Sequence, residues 1–243
     1  MGGMSAQIPV KGDDKANEIA MKKVYADKER EVRAGHDGTW IAHPLINKIA
    51  REVFDTYMHG ANQYHVRRED VDTSAMETEL VNATVPGGKT TREGVKENVD
   101  TAIAYISAWI AGNGCIPLNW MMEDAATAEI TRVQLWQWVK YGSRLDTGEI
   151  VTASLVDKEI DESVKKGVKG VEGMSILTFK SGLSICSYTA VAKNVKMVGD
   201  YLKTQIRQTW PSEFLTSDWM GYLAVQDGVD EKFFAEPLTK SLL

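Results

Sequence analysis

The sequence predicts a mainly α-helical chain, in which a remnant of the last strands and helices of a β/α (TIM-type) barrel is followed by a C-terminal helical domain. The barrel prediction rests on a short alternation of strand-like and helix-like segments within residues 1–60. The helical prediction rests on an apolar stripe at steps of three and four residues, formed by Val95, Val99, Ile103, Ile106 and Ile110. Helical patterns then continue along much of the remaining chain.

The first 60 residues contain two candidate strands and two candidate helices. Residues 1–8 are short, partly apolar and glycine-bearing, as in a strand end or a loop. Residues 13–34 are rich in Lys, Glu and Ala with sparse apolar positions, which predicts an exposed helix. Residues 40–42 (Trp-Ile-Ala) predict a short buried strand, and Pro44 suits the first turn of a second helix.

Residues 61–89 are predicted to be a linker, and residues 90–243 are predicted to form the helical domain. The linker is polar and irregular in sequence. A capping-box pattern, Thr90-x-x-Glu93, is expected to begin the first helix of the domain. The end of that helix is expected at a glycine, either Gly112 or Gly114.

Asp124 is placed like the N-cap of a second helix in this domain, which should run to about Tyr141. Its apolar surface is expected to include Ile130 and two tryptophans. Further helices are predicted over residues 157–166, 188–209 and 211–225, whereas residues 167–187 follow no assignable pattern.

The composition is that of an ordinary globular chain. Of its 243 residues, 43% are hydrophobic and 26% are charged, and the net charge of −6 gives no general attraction to nucleic acid or acidic membranes. No apolar run approaches the roughly 20 residues that span a bilayer. The 2 cysteines make no disulfide framework, which favours a reducing compartment. The ending Ser-Leu-Leu is a weak variant of a peroxisomal tail, without the basic middle residue.

The acid pair Glu123 and Asp124 carries the functional prediction. Considered alone, Asp124 is accounted for by helix capping, because the small residues that follow it suit a helix start. Other segments of the sequence change this interpretation. Three segments occur in order: Met1-Gly-Gly-Met-Ser-Ala-Gln-Ile-Pro9, Gly35-His-Asp-Gly-Thr-Trp-Ile-Ala-His-Pro44, and Ala108-Trp-Ile-Ala-Gly-Asn-Gly-Cys-Ile-Pro117 running into Met121–Glu129.

Together with Leu135-Trp-Gln-Trp138, these segments closely resemble the later part of malate synthase in its short, A-type form. The resemblance is strong from residue 1 to about 155, patchy around 201–222 and absent in between. It implies an enzyme of the glyoxylate cycle that condenses acetyl-CoA with glyoxylate and then hydrolyses the malyl thioester. It also implies the β/α barrel, of which residues 1–60 would be the last two units.

In that family, an aspartate in the matching segment is the acid/base group, and it corresponds to Asp124. The acetyl methyl group is a weak carbon acid, so its base must be firmly held and partly shielded from water. Positive groups must also receive the developing enolate charge. Glu123 is expected to be a structural hydrogen-bonding partner.

The resemblance further implies substrate-binding residues in the first segment of the chain. Trp40 and the chain up to Pro44 would line the pocket near the acetyl group. Gly2 and Gly3 would allow close approach of the backbone there. The family's enolate-stabilising arginine and its Mg²⁺-binding acidic residues belong to earlier barrel strands, so Mg²⁺ is expected for the complete enzyme with no ligand in this chain.

Other motifs favour ordinary structural roles. His36, Asp37 and His43 could contribute to a zinc site, but no further His or Cys cluster accompanies them. Residues 83–90 fit a permissive phosphate-binding loop, yet they follow no buried strand and lack its first glycine. Cys115 is expected to be a small buried hydrophobe.

Two functional hypotheses remain. The favoured one is that the sequence is the C-terminal portion of a malate synthase, which needs the missing N-terminal part as its partner and shows negligible turnover alone. The alternative is a non-catalytic helical module, a decayed relative that binds CoA or a protein partner. The expected compartment is the peroxisome or glyoxysome, or else the cytoplasm.

Overall fold

The computed structural model describes residues 1–10, 12–74, 76–167 and 188–226. Its elements, in chain order, are β1 (Met4–Ser5), α1 (Asp14–Arg33), β2 (Trp40–Ile41), α2 (Ile46–Tyr57), α3 (Met76–Val81), α4 (Arg92–Ile110), β3 (Ile116–Leu118), β4 (Met121–Glu123), α5 (Ala125–Lys140), α6 (Ala153–Lys166), α7 (Tyr188–Gln205) and α8 (Leu215–Gln226). Within the described ranges the strands form two-stranded sheets and no closed barrel. None of the helices there has the length and apolarity needed to cross a membrane.

The chain divides into two compact units. Unit 1 comprises Met1–Gly88 and Asn119–Met122, and unit 2 comprises Lys89–Leu118 and Glu123–Leu243. The predicted linker over residues 61–89 contains the six-residue helix α3, which buries none of its residues.

Unit 1 begins with a β-α-β arrangement. Strands β1 and β2 pair in parallel, with Met4 opposite Trp40, and α1 connects them. A parallel pair joined by a helix is the repeating element of β/α folds. The short strand was therefore correctly predicted, but Trp40 is not buried: its exposed fraction is 63%, because the described part of unit 1 places no further layer over it.

Helix α1 begins after Asp13, whose Oδ1 accepts a hydrogen bond from the Ala16 amide at 2.8 Å. The prediction of an exposed helix is wrong for one face. That face buries Val24 and Val32 and also two charged residues, Lys28 and Glu31. Composition could not show this, because burial of an ion pair depends on which backbone packs against it.

Helix α2 is amphipathic and packs against α1. Its buried positions are Ile46, Ala50, Val53 and Phe54. The expectation that Pro44 occupies its first turn is corrected: the helix begins at Ile46, and the Pro44 carbonyl accepts from the Asn47 amide at 3.1 Å in the turn before it. Pro44 fits this turn because it has no backbone N–H to leave unpaired.

Unit 2 is built around α4. The predicted stripe along this helix is fully confirmed, since each of its apolar members is buried. The predicted cap is wrong by one residue: Thr91 is the N-cap, and its Oγ1 accepts from the Gly94 amide at 3.0 Å. The carbonyl of Thr90 instead accepts a hydrogen bond from the Asp146 amide at 2.8 Å, so the backbone of Thr90 pairs with another segment of the chain. The helix ends at Ile110 with Ala111 as its C-cap, and Gly112 follows with a φ of +93°.

Helix α5 extends from Ala125 to Lys140 and buries a face with Leu135 and Trp136. Ile130 does not belong to that face, contrary to prediction, and its exposed fraction is 63%. The buried residues follow steps of three and four from Ala128, which leaves Ile130 on the opposite side of the helix.

The remaining helices of unit 2 differ from the predictions mainly at their ends. Helix α6 starts four residues early, capped by Thr152, and α7 ends at Gln205. Pro211 precedes α8, which begins at Leu215 rather than at the proline. The unassigned segment falls almost entirely on residues 168–187, which lie outside the described residues.

A buried arginine, Arg132, lies between the helices of unit 2. Arg132 of α5 is buried and donates to Gln205 Oε1 at 2.7 Å, to Ser212 Oγ at 2.8 Å and to the Ser212 carbonyl at 2.9 Å. It also pairs with Glu129. Because the buried guanidinium of Arg132 donates hydrogen bonds to Gln205 of α7 and to Ser212 before α8, it fixes α5 against both.

Candidate active site

Asp124 is the N-cap of α5, as its position in the sequence predicted. Its backbone is extended, and Oδ1 accepts from the amides of Ala126 at 2.9 Å and Thr127 at 3.2 Å. Among the described residues, no donor contacts the other oxygen, Oδ2. One oxygen therefore orients the carboxylate on a packed helix, while the second is available to take a proton.

Glu123 is buried immediately before Asp124, at the end of β4. Burial raises the pKa of its carboxyl group, and the negative charge of Asp124 raises it further, whereas a hydrogen bond with the Thr127 side chain acts in the opposite direction. Thr127 thus contacts both acids, one through its amide and the other through its side chain.

Tyr105 is a neighbour of Asp124 that the sequence analysis did not single out. It lies on α4, is buried, and donates from its hydroxyl to the Gly114 carbonyl at 2.9 Å. Burial raises the pKa of Tyr105 to about 12, and the charges of Asp124 and Cys115 contribute to the increase. The only available signal was a tyrosine placed within the apolar part of α4.

Cys115 is exposed, so the prediction of a small buried hydrophobe is wrong. It lies just before β3, where successive side chains point to opposite faces, and the buried position is taken by Ile116. Its amide donates to Asn113 Oδ1 at 3.3 Å. Cys115 therefore lies at the surface of the turn that Tyr105 contacts.

The other predicted site residues belong to unit 1. The Gly2 amide donates to the Gly38 carbonyl at 2.7 Å, so the start of the chain lies beside the segment that leads into β2. Trp40 follows in β2, with its indole N–H directed to the sulfur of Met1. Gly2, Gly3 and Trp40 are thus brought together, whereas Pro44 lies beyond β2 in the turn before α2.

A buried lysine underlies this glycine segment and was missed by the sequence analysis. Lys28 Nζ donates to the Gly3 carbonyl at 2.7 Å and to the Glu31 carboxylate at 3.2 Å. The Gly3 carbonyl also accepts from Thr39 Oγ1 at 3.0 Å. The glycine backbone is therefore held from α1 on one side and from the β2 segment on the other.

Two of the three residues considered for zinc, Asp37 and His43, have other partners. Asp37 Oδ1 accepts from the Gln63 amide at 2.6 Å, and His43 Nδ1 accepts from the Leu45 amide at 3.2 Å. Within the part of the chain that the structure describes, no group of three His, Cys, Asp or Glu side chains could hold a metal ion. We assign no metal ligand to these residues.

Comparison with protein families gives two matches. Residues 1–83 match the model of the malate synthase TIM barrel domain, and residues 89–220 match that of the malate synthase C-terminal domain. The resemblance found in the sequence is thereby confirmed over both parts of the chain. The predicted presence of part of a β/α barrel agrees with the first match at the level of the domain family, and its boundary at residue 60 stays a prediction.

Individual relatives agree with this result. A malate synthase from Myxococcus xanthus (strain DK1622) is 50% identical over 173 residues, covering 70% of this chain and 31% of the relative. A glyoxysomal malate synthase from Candida tropicalis is 41% identical over 172 residues, which covers 71% of this chain and 31% of the relative. A bifunctional glyoxylate cycle protein from Caenorhabditis elegans is 36% identical over 218 residues, which covers 90% of this chain and 20% of the relative.

The chain spans about a third or less of the length of these relatives. The matched segments nevertheless include the helix cap at Asp124 and the glycine segment at Gly2 and Gly3. On these grounds the chain belongs to the malate synthase family.

Proposed function

We propose that this chain supplies the proton-transfer part of a malate synthase, the enzyme that converts acetyl-CoA, glyoxylate and water into malate and CoA. The observation that carries the proposal is the geometry of Asp124 within a matched family domain. Its carboxylate is oriented by two amides through one oxygen and has the other oxygen available.

In this mechanism Asp124 removes a proton from the acetyl methyl group of acetyl-CoA. The resulting enolate carbon attacks the aldehyde carbon of glyoxylate, and the aldehyde oxygen takes the proton back from Asp124 to become the malyl hydroxyl group. Water then attacks the thioester carbonyl, so the carbon–sulfur bond breaks and CoA leaves as the thiol. A positioned acid/base group of this kind contributes on the order of 10²- to 10⁴-fold in rate.

The helix start contributes orientation to this chemistry. The Ala126 and Thr127 amides at the start of α5 donate to Oδ1 of Asp124, so the side chain is held against a packed helix rather than on a free loop.

We further propose that Gly2, Gly3, Trp40 and Pro44 contribute to acetyl-CoA binding. The support is that unit 1 holds the first three of these residues close together, with the exposed backbone of Gly3 near an exposed indole. The side-chain position of Gly2 is filled by the Glu31 carboxylate, so Gly2 is proposed to contribute through its backbone path. Exposed aromatic and backbone groups of this kind are typical of ligand contacts.

The other catalytic groups are proposed to come from barrel strands outside this chain. Family membership implies Mg²⁺ for the complete enzyme, and the described residues contain no group of three or more His, Cys, Asp or Glu side chains that could hold a metal ion. We therefore assign neither a metal ligand nor the enolate-stabilising arginine to this sequence. Full activity requires the N-terminal barrel part as a partner.

The relatives named as glyoxysomal suggest a compartment. Those from Candida tropicalis and Brassica napus carry this description. We propose a peroxisomal or glyoxysomal location, with the cytoplasm as the alternative. Imaging of a fluorescent protein fused upstream of the chain, which leaves the C-terminus free, distinguishes the two.

The proposed activity is tested by release of the CoA thiol from acetyl-CoA in the presence of glyoxylate and Mg²⁺. Two proteins are compared: the chain alone, and the chain joined to the upstream part of the Myxococcus xanthus relative, termed the barrel-completed protein. We expect negligible thiol release from the chain alone and glyoxylate-dependent release from the barrel-completed protein.

Two results would contradict the proposal. Enzyme-like turnover by the chain alone would show that no further barrel groups are needed. A folded, monodisperse barrel-completed protein without condensing activity would instead favour the non-catalytic module, whose binding of CoA can be measured directly by calorimetry.

A further inference from the structure

We propose that Lys28 is a positioning residue for the candidate acetyl-CoA pocket, in which the Lys28–Glu31 ion pair fixes the backbone of Gly2 and Gly3. This inference rests on the proposed function for its catalytic consequence, but the contacts that support it lie entirely within unit 1. The proposed mechanism uses neither charged residue.

Lys28 is fully buried, and its ammonium group has a complete set of partners. Nζ donates to the Gly3 carbonyl at 2.7 Å, to Asp27 Oδ2 at 3.1 Å, and to Glu31 Oε2 at 3.2 Å. An ammonium group has three N–H donors, and here each has an acceptor. A buried charge is tolerated only under such conditions, so the position of the Gly3 carbonyl is coupled to the stability of the ion pair.

Glu31 restricts the same segment sterically. A Cβ added to Gly2 would lie 2.2 Å from Glu31 Oε2, whereas one added to Gly3 would lie no closer than 3.9 Å to any Glu31 atom. The end of a glutamate side chain can usually move aside. Glu31 is buried and paired with Lys28, so it can move only if the ion pair separates. The carboxylate thus occupies the space that a side chain at Gly2 would need.

Two further contacts complete the support of this strand. Ser5 Oγ donates to Asp27 Oδ2 at 2.8 Å, and Asp27 also pairs with Arg30. Thr39 Oγ1 reaches the Gly3 carbonyl from the other side. The glycine segment is therefore held at its carbonyl, at its side-chain-free face and at the adjoining strand, which is more support than a two-residue strand needs for pairing alone.

The first test uses the chain as it is. Hydrogen exchange of the backbone amides in residues 2–5 and 38–41 is compared between Lys28→Met, which keeps the apolar stem, and Lys22→Met, an exposed lysine of the same helix paired with Glu18. We expect Lys28→Met to accelerate exchange at least about tenfold and Lys22→Met to leave it unchanged. Equal exchange in the two variants would overturn the proposal.

A glycine pair provides the second variant set, should Lys28→Met fail to fold. Gly2→Ala is expected to accelerate exchange in the same segments, while Gly3→Ala, whose Cβ would meet Glu31 Oε1 only at an ordinary contact distance of 3.9 Å, should behave like the parent. Equal tolerance of the two alanines would show that Glu31 does not restrict this backbone.

The catalytic consequence is read from the barrel-completed protein. We expect Lys28→Met to raise the KM for acetyl-CoA at least about fivefold while the KM for glyoxylate changes less than about twofold. A smaller folded fraction would lower kcat and leave both KM values unchanged. A rise in the KM for acetyl-CoA alone therefore distinguishes a positioning role of Lys28 from a purely stabilising one. An active parent whose acetyl-CoA KM is unaffected by Lys28→Met would overturn the inference. An inactive parent would contradict the proposed function alone, and the exchange experiment would then decide the role of Lys28.

Discussion

The two units hold their candidate site residues in different ways. In unit 2, Asp124 is the cap of a helix that packs into an extended apolar core, and this packing fixes the position of the carboxylate. In unit 1 the apolar cluster is small, comprising Val32, Val53 and Phe54, and the glycine segment is held by a buried ion pair.

This difference has physical consequences. Apolar burial is insensitive to pH and distributes its free energy over many contacts. A buried ion pair concentrates its effect in a few atoms and responds to protonation and to the loss of either partner. The position of the Asp124 carboxylate should therefore be sensitive to core packing, and the glycine segment to charge.

The largest stability effect expected is in the core of unit 2. Ile106→Ala on α4 should lower the free energy of unfolding of this unit by about 2–5 kcal/mol, because it leaves a cavity among fully buried neighbours. The matched control is Ile130→Ala on exposed α5 surface, which should change it by less than about 0.5 kcal/mol. Denaturant unfolding with hydrogen exchange assigns the change to unit 2. Equal effects of the two alanines would show that unit 2 is not organised around α4.

A smaller effect is expected from the cap of α4. Thr91→Ala should destabilise unit 2 by about 1 kcal/mol, since the Gly94 amide loses its acceptor. Thr90→Ala keeps the backbone pairing with Asp146 and should cost less. A thermal-unfolding comparison in which Thr90→Ala is the more damaging change would restore the capping box predicted from the sequence.

The pH dependence of unit 1 sharpens the comparison further. Burial alone would raise the pKa of Asp27, but hydrogen bonds from Arg30, Ser5 and Lys28 outweigh it and lower the pKa to about 2. A carboxyl whose folded pKa lies below its unfolded value stabilises the fold above the unfolded pKa of about 4. This contribution should be lost as pH falls from about 4 to about 2, and Asp27→Asn should remove that dependence. A parent and variant with parallel pH profiles of stability would contradict it.

Unit 2 should respond in the opposite direction at Glu123. Burial raises the pKa of this carboxyl, so its contribution to stability is present at low pH and is lost as pH rises through the folded pKa. Glu123→Gln, which is neutral and similar in shape, should therefore stabilise unit 2 at neutral pH relative to the parent. A variant that is less stable than the parent at neutral pH would show that the ionised form of Glu123 is favoured by the fold.

Features governed by local chemistry could be predicted from the sequence. The stripe along α4 and the cap at Asp124 depend on helical periodicity and on a side chain that reaches its own helix start, and both are present. The strand at Trp40 was also predictable, whereas the exposure of its side chain depends on which layers surround it.

Features governed by tertiary packing could not be predicted. Lys28 and Glu31 look like solvent-facing members of a charged helix, but both are buried and contact the Gly2–Gly3 backbone. The exposure of Cys115 and the burial of Tyr105 depend on the path of the chain between α4 and β3. The helix cap at Asp124 was thus predictable, but its surroundings were not.

The most direct test of the account is Asp124→Asn in the barrel-completed protein. Asparagine caps a helix as well as aspartate does, so the melting temperature should stay near that of the parent. The variant should lose on the order of 10²- to 10⁴-fold in turnover, because the amide cannot take the methyl proton. The matched control, Asp13→Asn, changes the cap of α1 in the same way and should retain full turnover. An Asp124→Asn variant that turns over as fast as its parent would contradict the assignment of Asp124 as the base.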